Sequence, residues 1–163
     1  MLAVVPWLHP SNSCHDWLLK WGQLSADPMW LPIHKVAMAG FALASVGGLL
    51  LGLLAPPSRV GLLGGASLAA GYAIQSMLAL VHASAVSSLG RAFEAAGTDA
   101  VRAQAIRTTA EAFVSYDVAA SGVAAPLISV GAALTAWSLF RAGVFSWWVA
   151  VFMAGVGAIW TLA

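Results

Sequence analysis

The chain has 163 residues, of which 61% are hydrophobic and only 8% charged, and its mean hydropathy is +0.87. Soluble domains carry about 25% charged residues, so this balance belongs to a membrane protein. A net charge of +1 argues against a nucleic-acid partner, and a single cysteine, Cys14, excludes a disulfide framework or a thiolate metal cage built from this chain.

The opening MLAVVPW lacks a basic n-region and is interrupted by Pro6, so it does not fit a signal peptide. Residues 1–30 read as an interfacial N-terminal segment. From Ser13 to Leu24 the sequence puts Trp17, Leu18, Trp21 and Leu24 on one helical face, with Asp16, Lys20 and Gln23 opposite. That pattern predicts a short amphipathic helix lying in the membrane interface, apolar face down. Asp27-Pro28 and Leu31-Pro32 then break the chain before the first long apolar run.

Residues 31–163 read as an all-α integral membrane domain, a bundle of four transmembrane helices with short interfacial amphipathic helices. The expected spans are 31–55, 59–86, 115–140 and 144–162, since about 20 apolar residues suffice to cross a bilayer as a helix. In the first span Gly40, Ala44, Gly48 and Gly52 recur once per turn; in the second, Gly61, Gly65, Ala69 and Ala73 do the same. Small residues let two backbones approach closely where lipid supplies no hydrophobic push, so the two spans are expected to pair as an antiparallel hairpin. Residues 87–113 form a polar stretch, and Thr98 is the expected cap of an amphipathic helix that starts at Asp99 and runs on into the third span. Pro126 predicts a kink within that span.

Four spans place both termini on one side. Lys20, Lys35, Arg91, Arg102 and Arg107 fall there, against Arg59 and Arg141 on the other side, so the positive-inside rule favours cytoplasmic termini in the cell membrane. The eight tryptophans fall near the span ends, as an aromatic belt requires: Trp7, Trp17, Trp21, Trp30 and Trp160 at one interface, Trp137, Trp147 and Trp148 at the other.

The chemistry is expected at one height. His34 lies 22 residues before Pro56, His82 lies 23 after Arg59, and Asp117 lies 24 before Arg141. Each rises roughly 33 to 36 Å along its helix, to the edge of a hydrocarbon core about 30 Å thick. Met38 sits one turn inside His34, and Gln75 sits seven residues before His82 on the same face. Imidazole suits iron, copper and zinc. His34 and His82 are therefore the candidate ligands of haem b iron or a transition metal, with Asp117 supporting a ligand ring, Met38 as an alternative axial ligand and Gln75 on a polar track below. The competing reading makes all of them ordinary residues of the headgroup region, where polar groups are cheap.

The chain carries no phosphate-binding glycine loop, H-E-x-x-H, G-x-S-x-G or paired-cysteine redox motif. The expected function is a haem- or metal-binding membrane protein of electron transfer, with the lipid bilayer as its solvent. One alternative is a non-catalytic accessory subunit that packs on other membrane subunits or on itself. Another is an enzyme or carrier for a small apolar molecule.

Overall fold

The computed structural model describes residues 17–54 and 58–162. Every regular element among them is a helix: α1 (Trp17–Ala26), α2 (Trp30–Leu54), α3 (Arg59–Ala96), α4 (Ala100–Arg141) and α5 (Trp147–Leu162). The boundaries follow from local chemistry. Asp27 stops α1 and starts α2, its Oδ1 accepting from the Met29 N–H at 2.8 Å, while Pro32 sits in the first turn where its missing N–H costs nothing. Ser58 caps α3, its Oγ accepting from the Gly61 N–H at 2.9 Å. Asp99 rather than Thr98 caps α4, through a 3.0 Å bond from the Arg102 N–H. Gly97 and Gly143 end α3 and α4 in the left-handed conformation, φ 52° and 72°, which a side chain would strain. At the second of these, the N–H groups of Gly143 and Val144 close onto the carbonyls of Phe140 and Leu139.

Among the described residues three helices, α2, α3 and α4, are long and apolar enough to cross a membrane. This corrects the expectation of four spans. The stretch expected to cross last begins instead with a turn that runs to Ser146, and α5 has only 16 residues. Sixteen residues rise about 24 Å, short of a hydrocarbon core of about 30 Å. With three candidate spans the even count behind shared termini lapses, and the cytoplasmic assignment lapses with it. The polar stretch is helical almost throughout. α3 continues past Val86 to Ala96, and α4 runs unbroken from Ala100 through Pro126 to Arg141.

The chain forms two compact units. The first holds α1, the N-terminal part of α2 to Ala37, Leu78 to the end of α3, and α4 as far as Val118. Its core is Leu18, Trp21, Val86 and Ala110, with Trp30, Leu89, Phe93, Phe113 and Val114 packed around them. The apolar face of α1, expected to rest on lipid, is thus turned onto protein: Trp21 is only 3% exposed. Gly90 makes this possible, because a Cβ there would collide with the backbone of Gly22.

The second unit holds the rest of α2, α3 and α4 together with α5. Gly48 and Gly52 of α2 meet Leu68 and Gly65 of α3, and Ser45 Oγ donates across the pair to the Ala69 carbonyl at 2.7 Å. The expected hairpin is present, although Gly40 has no neighbour within 4 Å of a built Cβ and takes no part in it. A second face of α3, not singled out in the sequence, uses Gly64 and Gly71 against Thr135 and Ile128 of α4. Leu43, Leu54, Leu63 and Phe152 stay exposed, as suits helices solvated by acyl chains.

Candidate functional site

The site lies in the first unit, and each of its residues is set by a helix. Trp30 opens α2 and anchors it, its ring N–H donating to the Ala83 carbonyl of α3 at 3.2 Å. One turn on, His34 lays its ring on Trp30, with centroids 4.2 Å apart. His34 Nδ1 is 2.8 Å from the Trp30 carbonyl oxygen. Donation to that carbonyl requires the Nδ1–H tautomer, which leaves the ring's lone pair on Nε2. His82 precedes Ala83 on α3, so the bond that anchors Trp30 also places His82 beside it. The His34 and His82 rings stand 5.7 Å apart and within 9° of parallel.

α4 supplies the acid. Asp117 Oδ2 is 3.9 Å from His82 Nδ1, and the two side chains are 15% and 16% exposed. One turn before Asp117, Phe113 lies against the His82 ring at 5.9 Å, and Trp21 of α1 lies at 6.2 Å. Four helices therefore converge on His82.

Three residues expected at a common height are thus brought together: His34, His82 and Asp117. Met38 and Gln75 belong to the second unit, where the Met38 carbonyl accepts from Ser76 Oγ at 3.0 Å and so helps α2 hold α3. Neither is part of the unit that holds the histidines. His9 and the Cys14-His15-Asp16 run lie outside the described residues. Sequence reasoning missed the aromatic surround. Trp21 and Trp30 read as belt residues, yet Trp21 is buried and Trp30 is half-buried with its ring N–H bonded to protein. The four-residue spacings Trp30–His34 and Phe113–Asp117 were the available signal, since residues so spaced share a helix face.

No known family, curated protein or solved structure matches this chain.

The chemistry of the cluster rests on its own atoms. Two imidazoles face each other, and each has its δ nitrogen toward an oxygen, one a carbonyl and one a carboxylate. A hydrogen bond of this kind fixes the tautomer and orientation of a ligating histidine; the 2.8 Å contact at His34 is within that range, and the 3.9 Å contact at His82 is beyond it. Among the described residues no three or more His, Cys, Asp and Glu side chains gather as a metal-ion cage. The arrangement offers two nitrogen donors and one supporting carboxylate.

Trp30→Phe tests the anchor. It keeps an aromatic ring for His34 to lie on and removes the donor to the Ala83 carbonyl, so a loss of about 1 kcal/mol is expected. Thermal unfolding in detergent measures it, and an unchanged midpoint would show that this bond does not hold α2 to α3.

Proposed function

We propose that this is a small multi-pass membrane redox protein in which His34 and His82 are the protein ligands of a transition-metal centre, and that the centre is haem b iron. The observation that carries this reading is the near-parallel histidine pair with an oxygen partner at each Nδ1. Donor count favours haem over a bare ion. A closed ion site in protein takes three or four side-chain ligands, whereas haem iron needs at most two from the chain because the macrocycle supplies the rest.

Bound haem would supply the one-electron change. The residues of the chain do the remaining work. His34 and His82 would hold the group, Asp117 would orient the His82 ring from 3.9 Å away, and Trp21, Trp30 and Phe113 pack around the pair. An aromatic shell lowers the local dielectric and so tunes a redox potential.

An absorption spectrum and metal analysis of detergent-purified protein, made in cells supplied with haem precursor, test the reading. A Soret band that disappears in His34→Ala is expected. A band without any dependence on His34, or no Soret band at all, overturns the haem assignment; the further absence of stoichiometric metal removes the metal centre altogether. Asp117→Asn is expected to weaken metal or haem affinity by about 10- to 100-fold, the usual cost of losing a carboxylate behind a ligating histidine. A titration of the apoprotein reads this directly, and unchanged affinity would take Asp117 out of the site.

A further inference from the structure

A second feature, independent of the histidine pair, lies in the second unit where α3 begins and α4 ends. A cavity of about 320 Å³ is lined there by Ser58, Val60, Trp137, Ser138, Arg141 and Ala142. We propose that this cavity binds the phosphate of an anionic phospholipid headgroup.

The first argument is charge. Residues 38–77 and 119–163, which make up this unit, contain two arginines, Arg59 and Arg141, and no aspartate or glutamate. Arg141 is exposed, and its unit holds no acidic side chain to compete with an anion for it. A guanidinium presents planar N–H donors that match phosphate oxygens.

The second argument is the donor set. Ser58 Oγ and Ser138 Oγ are 3.0 Å apart, and Ser58 Oγ also accepts from the Gly61 N–H at 2.9 Å. Two hydroxyls carry two protons, and one of these bridges the pair. The other is left to donate to a ligand oxygen. The first N–H groups of α3 add positive potential at the same place.

The third argument selects lipid over free phosphate. The cavity sits at the ends of two helices that can cross a membrane. Trp137, with the Arg141 guanidinium 5.9 Å from its ring, is 56% exposed, and Trp147 and Trp148 at the start of α5 are also exposed. Exposed tryptophans at span ends belong at headgroup level, and basic pockets beside membrane helices take lipid headgroups.

Native mass spectrometry of the whole detergent-purified protein, delipidated and then titrated with phosphatidylglycerol, phosphatidylcholine or inorganic phosphate, tests the proposal. Phosphatidylglycerol is expected to bind about fivefold more tightly than phosphatidylcholine, the factor one basic residue contributes near a charged surface. Arg141→Gln is expected to abolish that preference, while Arg59→Gln keeps it. Ser58→Ala is expected to weaken phosphatidylglycerol binding without touching any charge, which supports the site even if Arg141→Gln fails to fold. Equal binding of the two lipids, a preference that survives Arg141→Gln in folded protein, or inorganic phosphate competing as well as the lipid would each overturn it.

Discussion

Gly65→Val is expected to drive α2 and α3 apart and to destabilise the second unit by about 3 kcal/mol or more, at the upper end of what overpacking costs. A Cβ on Gly65 would stand 2.7 Å from the Gly52 Cα, 2.8 Å from the Gly48 carbonyl oxygen and 3.0 Å from the Gly52 nitrogen. All three are backbone atoms, so no side chain can rotate out of the way. The helices must separate, and separation also breaks the Ser45 Oγ bond to the Ala69 carbonyl. In lipid nothing pushes apolar helices back together, so the close approach of the two backbones is most of what holds them. Gly40→Val is the matched control. A Cβ there meets nothing within 4 Å, and a change within about 0.5 kcal/mol is expected, as for surface substitutions elsewhere. Unfolding in mixed micelles measures both, and equal effects at the two glycines would mean that the α2–α3 interface is misplaced.

That contrast also shows how far the sequence reaches. The small-residue period in residues 40–52 and 61–73 is visible as a stripe, and the partner follows from the short connection between the two helices. Where along the stripe the helices touch is not visible, because a glycine facing lipid and a glycine facing a neighbour are the same letter. The helical character of α2, α3 and α4 follows from apolar length, which composition records directly. The shortness of α5 does not, because Val144 and Phe145 are as apolar as the helix that follows and only the turn at Gly143 removes them from it.

The candidate site is legible through one quantity, height along the helices, which needs only residue counts and a rise per residue. Height brings His34, His82 and Asp117 to one level; it says nothing of azimuth. Their meeting depends on where each helix turns its face, and the bond from the Trp30 ring to the Ala83 carbonyl of another helix helps set that. The belt assignment of Trp21 fails for a related reason. An amphipathic helix buries its apolar face equally well in lipid or in protein, and the composition of α1 does not distinguish the two. What distinguishes them is Gly90 on another helix, which leaves room for the backbone at Gly22.

The histidines offer the sharpest separation of binding from packing. His82→Ala removes a ring that lies against Trp21, Trp30, His34 and Phe113 and leaves Asp117 without the imidazole 3.9 Å from it, so a loss of about 2–4 kcal/mol is expected from the cavity alone. His82→Phe refills that space without a nitrogen; the cost falls to about 1–2 kcal/mol, mainly for the largely buried Asp117 carboxylate it leaves facing a ring. His34→Ala, at the less enclosed end of the pair, is expected to cost about 1 kcal/mol. Stability therefore ranks the three variants, with His82→Ala the worst. Under the proposed function binding would not follow that ranking: a centre held by both histidines needs each of them, so all three variants are expected to lose the absorption signature of bound haem to the same extent. If the cluster were aromatic packing alone, any bound chromophore would be unaffected by His82→Phe. A spectrum that tracks stability across the three variants, rather than dropping equally in all of them, would reduce His34 and His82 to core residues.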